Sequence, residues 1–324
     1  MQIHPMWATY PDLQPELQAT LELIQQQIKT DNQPVNAAIL DLINAGGKLL
    51  RPAYCLLFSQ FKPTDRSKMI ALAAAIETLH TATLIHDDVI DQSPIRRGVT
   101  TIQTQFDLPT AVYAGDYLFV VCFQLLSNYA SSLRSVQQDG KSMADILNGE
   151  LAQMATRYHL DMTIDQYLKQ VSGKTGQLFA LSSFIGAYES GQSLRFSRNS
   201  EKIGLNIGIA FQLLDDILDY TSNTDTIGKP VHNDMRQGVY SAPLIFGMNQ
   251  DPQIKVLLQK QTAMTDAETA EVVARVHAAG GVDQARDMAA EYTNKALKAI
   301  DKLPDMPARQ TLHQLTAALL NRNV

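Results

Sequence analysis

The sequence predicts an all-α protein. Its apolar residues recur at steps of three and four along most of the chain, which is the spacing of one helix face. Strand-like alternation bounded by turn signals is nowhere convincing. Two of the helical segments carry the same group of three aspartates, spaced DDxxD. We therefore expect about a dozen helices and a functional site that uses two of them.

The composition is that of an ordinary globular protein. The chain has 324 residues, of which 45% are hydrophobic and 19% charged, and its net charge is −6. No block of Lys and Arg stands out, which argues against a nucleic-acid partner. Cys55 and Cys122 lie in apolar runs and match no zinc or disulfide pattern. Without a secretory leader or a window resembling a membrane span, we expect a soluble, cytoplasmic protein.

The helices can be placed from their periodicity and caps. In the segment 67–88, five residues share one helix face: Met69, Ala73, Ile76, His80 and Thr83. Thr163 with Gln166, and Thr265 with Glu268, have the spacing of capping boxes and predict two helix starts. The amphipathic stretch ARDMAAEYTNKALKAIDKL predicts another helix, which ends before Pro304.

Two segments interrupt the helical pattern. DQSPIRRGVTT (91–101) and TSNTDTIGKPVHNDMRQG (221–238) are rich in Gly, Pro, Ser, Thr and Asn, which predicts loops. Each follows one of the aspartate groups directly. If both groups serve one site, a domain boundary between them is unfavourable, so we expect a single domain spanning 1–324.

The aspartates carry the strongest functional signal. They are Asp87, Asp88 and Asp91 in the first group and Asp215, Asp216 and Asp219 in the second. On a helix the first and third aspartates of a group share a face, and the second lies about 100° round. Carboxylates about 4 Å apart repel by roughly 4 kcal/mol at an effective dielectric constant near 20, so each group favours a bound cation. Oxygen-only ligands favour Mg²⁺, which also takes substrate phosphates. The alternative is that each group is a solvated helix end beside a loop. That explanation is reasonable for one group and poor for two identical ones.

Basic residues that could hold a phosphate lie near these groups in the sequence. They are Lys48 and Arg51 in AGGKLLRP, His80 two turns before Asp87, Arg96 and Arg97 in RRG, Lys174 in SGKTGQ and Lys229 in GKP. Arg suits bidentate phosphate recognition. The phosphate loop GxxxxGK[ST] is absent from the sequence, so metal and side chains would hold the ligand.

In this order, the motifs resemble the trans-prenyl diphosphate synthase family, of the medium- and long-chain type. The matching elements are GGKLLRP, ETLHTATLIHDDVID, RRG, AGDYL, Gly149–Glu150, GKTG, FQLLDDILDY and GKP. The resemblance implies a helical barrel around a deep central cavity, usually in a homodimer. It also implies isopentenyl diphosphate and an allylic diphosphate (farnesyl or geranylgeranyl) as substrates, with about three Mg²⁺ ions per site.

The resemblance further implies a role for each matching side chain. Asp87, Asp88, Asp91, Asp215 and Asp216, with Asp219 as a further ligand, would bind Mg²⁺ on the allylic diphosphate. Arg96, Lys174 and Lys229 would hold that diphosphate. Lys48, Arg51, His80 and Arg97 would hold isopentenyl diphosphate, and Thr175 and Gln212 would line the reacting centre.

The loop after the second aspartate group departs from the family pattern. His232 stands where Gly is usual, and Val239 stands where Lys is usual. One phosphate contact is then missing from this loop, or Arg236 supplies it.

Product length follows from the residues before Asp87. Short-chain members of the family have a bulky aromatic four or five residues earlier, where this chain has Thr83 and Ala82. We expect an open shaft and a product of hexaprenyl to nonaprenyl length, such as a quinone side chain delivered to a membrane. The candidates for the residue that ends the shaft are Phe119, Phe123 and Met154. The alternative is that Ala82 and Thr83 simply pack against another helix.

Four other functions remain open. A short-chain synthase would make farnesyl or geranylgeranyl diphosphate with the same motifs. A terpene synthase or cyclase also uses aspartate-rich helices, but it needs no second basic group for a second diphosphate. A non-catalytic binding subunit typically loses its aspartates. An active heterodimer with a small regulatory subunit is the fourth.

Overall fold

The structure is a computed structural model that describes residues 3–221 and 233–320. The described chain is almost entirely helical, which confirms the all-α class. The helices are α1 (Gln14–Gln27), α2 (Gln33–Asn44), α3 (Leu50–Ser59), α4 (Arg66–Ile90), α5 (Ile102–Gln105), α6 (Leu108–Tyr129), α7 (Leu133–Ala155), α8 (Ile164–Val171), α9 (Gln177–Glu189), α10 (Leu194–Thr221), α11 (Asn233–Arg236), α12 (Ala242–Gln250), α13 (Pro252–Leu258), α14 (Asp266–Ala278), α15 (Gly281–Ile300) and α16 (Pro307–Leu320).

Shorter elements complete the described chain. Two 3₁₀ turns span Pro5–Thr9 and Gln261–Ala263, and a π-helical turn spans Ser172–Gly176 between α8 and α9. Strands β1 (Ile95–Arg96) and β2 (Val99–Thr100) form an antiparallel pair. The sequence predicted a loop there without strands, because two-residue strands are too short to show any alternation.

The chain divides into two compact units. The first comprises Met1–Gly140, Leu181–Glu201 and Met306–Thr311, and the second comprises Lys141–Ala180, Lys202–Asp305 and Leu312–Val324. The first aspartate group belongs to the first unit, and the second group to the second unit. The single domain expected from the sequence stays a prediction.

Helix α4 is the centre of the first unit. It begins after Asp65, whose carboxylate accepts a hydrogen bond from the backbone N–H of Ser67. Its residues 71–79 are all buried, and it packs against α1, α3 and α6. Cys55 in α3 and Cys122 in α6 are buried and form no disulfide, which fits the apolar runs in which they lie. The last turn of α4 carries the first aspartate group, so a rigid core helix positions it.

In the second unit, α12 packs against α14 and α15. A Cβ atom on Gly281 would lie 2.4 Å from the carbonyl oxygen of Pro243, so only glycine permits this approach of α15 to α12. Both predicted capping boxes are present: Thr163 with Gln166 opens α8, and Thr265 with Glu268 opens α14. Local sequence signals therefore specified both helix starts.

Among the described residues, two helices are long and apolar enough to cross a membrane by length and composition, although no such window was expected from the sequence. They are α4, whose most apolar window is 72% buried inside the protein, and α6, whose window is 44% buried. A mostly buried window is that of a core helix, which accounts for α4. Helix α6 leaves several large apolar side chains exposed, among them Tyr113, Val120 and Phe123.

Candidate active site

The first aspartate group ends α4. Asp87 and Asp88 lie in the last helical turn, and Asp91 caps it by donating its backbone N–H to the carbonyl oxygen of Asp87. Asp88 is only 3% exposed. Its Oδ1 accepts hydrogen bonds from Nε of Arg96 at 2.8 Å and Nη2 of Arg96 at 2.5 Å. The two residues form a buried ion pair.

This pair refines two predicted roles. The sequence assigned Asp88 to Mg²⁺ and Arg96 to the allylic diphosphate, as separate ligands. The structure shows that each is the other's partner. Breaking a buried pair leaves an uncompensated charge, so the geometry supports a role for Arg96 in holding Asp88 and the hairpin that follows it.

The hairpin directs the two neighbouring arginines to different partners. Arg97 and Gly98 form the two-residue turn between β1 and β2, with φ of 51° and 79°. Positive φ at both central positions is the requirement of a type I′ hairpin turn. Glycine adopts it readily and arginine rarely does. As a result Arg96 contacts Asp88, whereas the guanidinium of Arg97 lies over Gly47.

The predicted basic residues of the first unit do come together. A Cβ atom on Gly47 would lie 2.6 Å from Nη1 of Arg97, so a larger residue at 47 would displace the guanidinium. Arg51 Nη1 lies 3.1 Å from His80 Nε2. Lys48 is exposed in the loop between α2 and α3, next in the chain to Gly47. We call Lys48, Arg51, His80 and Arg97 the basic cluster.

The environment of His80 changes its predicted role. Burial, with the positive charges of Arg51, Arg97 and Arg96, lowers the pKa of His80 well below its ordinary value. The ring is therefore neutral at pH 7, and its Nε2 accepts the hydrogen bond from Arg51. His80 thus orients Arg51 and brings no positive charge of its own to a diphosphate.

One buried carboxyl in this region escaped the sequence analysis. Glu77 lies one turn before His80 on α4 and is 4% exposed. Burial raises the pKa of Glu77, and the nearby charges of Arg97 and Arg51 partly offset the rise. The only sequence signal was an acid within a continuous apolar run of α4.

The AGDYL motif lies where α6 packs against the end of α4. A Cβ atom on Gly115 would lie 2.4 Å from Nε2 of His86, so the imidazole occupies the space that glycine leaves. The same Nε2 lies 3.2 Å from the carbonyl oxygen of Val112, and the ring packs against Phe119. This glycine therefore fixes the helical turn that bears Asp87.

In the second unit, glycines bring three elements together. A Cβ atom on Gly149 in α7 would lie 2.8 Å from the backbone of Gly173, and one on Gly208 in α10 would lie 2.7 Å from Cα of Gly176. The π-helical turn that contains Gly173 and Gly176 also carries Lys174 and Thr175. Single π-helical turns often occur at functional sites.

One face of α10 continues from Gly208 as a chain of hydrogen bonds. Thr175 donates its hydroxyl to Oε1 of Gln212 at 2.7 Å, and Gln212 donates Nε2 to Oδ1 of Asp216 at 2.8 Å. The hydroxyl of Tyr167, from α8, donates to the other carboxylate oxygen of Asp216 at 2.6 Å. The predicted residues Thr175, Gln212 and Asp216 are therefore connected, and Tyr167 is a partner that sequence reasoning missed.

Asp216 has a perturbed carboxyl. Its pKa is raised to about 7, chiefly by burial and also by the negative charges of Asp219 and Asp215, while the hydrogen bonds from Tyr167 and Gln212 partly offset the rise. By its surface area the residue is half-buried. The carboxyl is short of positive charge, which a bound cation would supply.

Lys174 lies against an acid in this structure. Its Nζ is 3.0 Å from Oε2 of Glu150 and 3.1 Å from Oε1 of Gln153. Glu150 comes from the GE motif, to which the sequence assigned no role. The ion pair with Glu150 orients Lys174. Because both side chains are partly exposed, the amine can exchange this partner for another.

The sequence made several predictions about the segment that follows α10. Lys229 and His232 lie outside the described residues. Arg236 was the candidate for a missing phosphate contact, but its side chain binds Thr269 and Asp266 at the start of α14. Arg236 therefore supports the beginning of α14, and a phosphate contact from Arg236 stays a prediction.

Within residues 3–221 and 233–320, no three His, Cys, Asp or Glu side chains are placed to hold a metal ion by themselves. Asp87 with Asp91, and Asp215 with Asp219, are nonetheless carboxylates four residues apart, with oxygen donors only. Mg²⁺ is usually bound by one or two carboxylates, with waters and substrate phosphates completing its shell. The donors present fit that mode of binding.

The predicted chain-length residues lie one turn before the first aspartates. Ala82 is completely buried, and the Thr83 hydroxyl donates to the carbonyl oxygen of His80 at 2.8 Å. Of the three candidates for the end of a shaft, Phe123 is 45% exposed and Met154 is 47% exposed. Exposure in a single chain does not decide among the three, so the end of the shaft stays a prediction.

Comparisons with known proteins agree with these features. The polyprenyl synthetase family model matches residues 32–279. The chain is 32% identical to heptaprenyl diphosphate synthase component 2 of Geobacillus stearothermophilus, over 98% of each chain. It is 35% identical to all-trans-nonaprenyl-diphosphate synthase (geranyl-diphosphate specific) of Rhodobacter capsulatus, over 93% of each chain.

Solved structures give the same fold. A geranylgeranyl pyrophosphate synthase from Lactobacillus brevis superposes with a TM-score of 0.94 at 43% identity, covering 98% of this chain and 99% of that one. A heptaprenyl diphosphate synthase from Staphylococcus aureus superposes with a TM-score of 0.91 at 32% identity, covering 96% and 98%.

Proposed function

This chain belongs to the polyprenyl synthetase family and is a prenyltransferase, and we propose that it joins isopentenyl diphosphate head to tail to an allylic diphosphate in a Mg²⁺-dependent reaction. The proposed primer is farnesyl or geranylgeranyl diphosphate. The proposed product is an all-trans polyprenyl diphosphate.

The basic cluster is the observation that carries this proposal. The cluster has three cations, Lys48, Arg51 and Arg97, in addition to Arg96. The guanidinium of Arg96 is already paired with Asp88. A cyclase that handles one diphosphate has no use for a second cationic group. Two diphosphate substrates account for it directly, which favours condensation over cyclisation.

The chain's own residues would bind and orient both substrates. Arg51, held by neutral His80, and Arg97, held over Gly47, would grip the diphosphate of isopentenyl diphosphate with Lys48. Lys174 would exchange Glu150 for a phosphate oxygen of the allylic substrate. The predicted role of Lys229 on that diphosphate stays a prediction.

The aspartates would hold the metal. Asp87 and Asp91, with Asp215 and Asp219, would supply the protein ligands. Asp88 and Asp216 have partners in Arg96 and Tyr167 that fix their orientation. Bound Mg²⁺ would neutralise the allylic diphosphate and make it a better leaving group. The departing diphosphate could accept the proton lost after condensation, so the reaction needs no separate protein base.

Two small residues support a product longer than geranylgeranyl diphosphate. One helical turn rises about 5.4 Å, comparable to an extended isoprene unit. A bulky residue at Ala82 or Thr83, one turn before Asp87, would limit the product after few condensations. Their small size favours hexaprenyl to nonaprenyl products, with a quinone side chain as one use.

A geranylgeranyl diphosphate synthase is the second candidate. The solved structure at 43% identity is named for that product, whereas the heptaprenyl and nonaprenyl relatives are 32% and 35% identical. The two candidates share every residue of the site and differ in product length alone.

The partner is also a proposal. Val112, Tyr113, Val120 and Phe123 are exposed on α6. Tyr113, Val120 and Phe123 follow one another at steps of seven and three residues, so they form a stripe on one helix face, with Val112 next to Tyr113. A second copy of this chain would cover the stripe with an identical one, which supports a homodimer. Because two relatives are named component 2 of heptaprenyl diphosphate synthases, the alternative is an enzyme completed by a different, small chain.

Mass analysis of products tests the proposal. The purified protein is incubated with isopentenyl diphosphate, Mg²⁺ and either farnesyl or geranylgeranyl diphosphate. We expect a series of longer prenyl diphosphates from this chain alone. Products that end at geranylgeranyl diphosphate would support the second candidate, and no condensation by the isolated chain would point to a missing second component.

Ala82→Phe tests the length assignment in the same assay. A ring at this position should shift products to farnesyl or geranylgeranyl diphosphate while the first condensations continue. Thr83→Val is the matched control, because valine has the width of threonine and leaves the space open. An unchanged product distribution in Ala82→Phe would remove Ala82 from the account.

A further inference from the structure

The chain's one tryptophan contacts the loop that carries Lys48. Trp7 lies in the 3₁₀ turn Pro5–Thr9 and is completely buried. Its indole Nε1 donates a hydrogen bond of 2.9 Å to the carbonyl oxygen of Lys48. The two residues are 41 positions apart, so the contact joins the N-terminal segment to the basic cluster.

The loop has an unusual backbone that needs external support. Gly46 has a φ of 91° and Leu49 a φ of 51°, so left-handed residues flank Gly47 and Lys48. A non-glycine residue in that region stores strain and persists only when its surroundings enforce it. Arg97 packs over Gly47 on the loop, and the indole of Trp7 holds the carbonyl of the next residue.

The tryptophan is itself held firmly. Its ring packs edge-on against Tyr10, with centroids 5.8 Å apart. Nδ1 of His4 accepts the backbone N–H of Met6 and caps the turn in which Trp7 lies. A buried donor of this kind costs free energy when it loses its acceptor, so the Lys48 carbonyl is kept in place.

We propose that Trp7 is a positioning residue for isopentenyl diphosphate: its hydrogen bond to the Lys48 carbonyl, together with Arg97 over Gly47, fixes the loop that presents Lys48 to the diphosphate. The inference rests on the proposed function, which assigns the basic cluster to that substrate. Trp7 touches no substrate and acts through the loop. Its emission should therefore report when the loop binds a diphosphate.

Fluorescence of the wild-type protein gives the first test, since Trp7 is its sole tryptophan. Titration with isopentenyl diphosphate should change the emission. The change should saturate, with its midpoint at the dissociation constant measured by calorimetry. An unreactive allylic thiodiphosphate with Mg²⁺ should bind with a much smaller change. Binding of isopentenyl diphosphate with no change in emission would overturn the proposal.

Trp7→Phe gives the second test, because phenylalanine keeps an aromatic ring and loses the N–H donor. We expect the KM for isopentenyl diphosphate to rise about three- to ten-fold, as the loss of one hydrogen bond predicts. The kcat and the KM for the allylic substrate should stay within about two-fold. Tyr10→Phe, which keeps its ring against Trp7, is the matched control and should match wild type.

The possible failures are distinguishable. Equal rises in both KM values, or no rise in either, would make Trp7 a core residue only. If Trp7→Phe does not fold, the wild-type emission test decides alone. If wild type performs no condensation, the proposed function fails, while calorimetric affinities of wild type and Trp7→Phe for isopentenyl diphosphate still test the link to the loop.

Discussion

The two aspartate groups have the same spacing and different surroundings. In the first, the middle aspartate, Asp88, forms a buried ion pair with Arg96. In the second, the middle aspartate, Asp216, receives hydrogen bonds from the neutral groups of Tyr167 and Gln212. Its pKa is raised to about 7, mainly by burial.

The difference shows what a motif does and does not specify. DDxxD spacing sets which carboxylates share a helix face. It does not set the charge around them, which depends on partners from other parts of the chain. The same substitution should therefore have equal effects at the outer aspartates and unequal effects around the middle ones.

The largest expected effect is at the outer aspartates. Asp87→Ala and Asp215→Ala should each lower kcat by about 10³-fold or more, because each removes a proposed metal ligand and would leave the diphosphate poorly activated. Initial rates with saturating substrates measure the loss, and circular dichroism should show unchanged helicity. Excess EDTA should abolish wild-type turnover as well. Near-normal turnover in EDTA would contradict the metal assignment for both groups.

The next largest effect is a loss of stability at the middle aspartate of the first group. Arg96→Ala should lower the free energy of unfolding by about 3 kcal/mol, because it leaves the buried carboxylate of Asp88 without its cation. Urea denaturation measures this loss. The double variant Arg96→Ala with Asp88→Asn is the control and should regain most of it, since no buried charge remains. If the double variant is no more stable than Arg96→Ala, the ion pair is not the cause.

A smaller effect is expected at the neutral partner of the second group. Tyr167→Phe should lower the free energy of unfolding by about 1 kcal/mol, the usual value of one hydrogen bond. The same urea experiment compares it with Arg96→Ala. Similar losses in Tyr167→Phe and Arg96→Ala would mean that the two middle aspartates have similar surroundings after all.

The smallest effect concerns pH in metal-free protein. A carboxyl whose pKa is higher in the folded than in the unfolded state binds more protons when folded, so its contribution to stability is lost as pH rises through the folded pKa. From pH 4 to 8, wild type should lose on the order of 1 kcal/mol relative to Asp216→Asn. Thermal midpoints in EDTA across this range measure the difference. Parallel curves for the two proteins would contradict a raised pKa at Asp216.

The sequence predicted those features of the fold that depend on local patterns. The apolar spacing of α4 and the capping boxes at Thr163 and Thr265 each involve residues within a few positions of one another, and all three helices are present. The short β1–β2 hairpin was missed, because its turn depends on a positive φ at Arg97. Arginine rarely adopts a positive φ, so its presence does not predict such a turn.

For the site, residue types were predictable and partners were not. Aspartate spacing and the basic motifs could be read directly. The resemblance assigned Arg96 to the allylic diphosphate. Its contact with Asp88 was not predicted, because that contact depends on how the hairpin folds. Tyr167 and Asp216 are 49 residues apart, and Trp7 and Lys48 are also distant. Such contacts follow from tertiary packing, for which a single sequence carries no local signal.

Binding of an unreactive allylic thiodiphosphate, followed by calorimetry with and without Mg²⁺, tests most directly the claim that both aspartate groups bind the metal that holds this substrate. Wild type should bind it tightly with Mg²⁺ and at least about 100-fold more weakly in EDTA. Asp87→Ala and Asp215→Ala should each bind it weakly even with Mg²⁺, while Tyr10→Phe should match wild type. Wild-type affinity in Asp215→Ala, or equal wild-type affinity with and without Mg²⁺, would contradict the account.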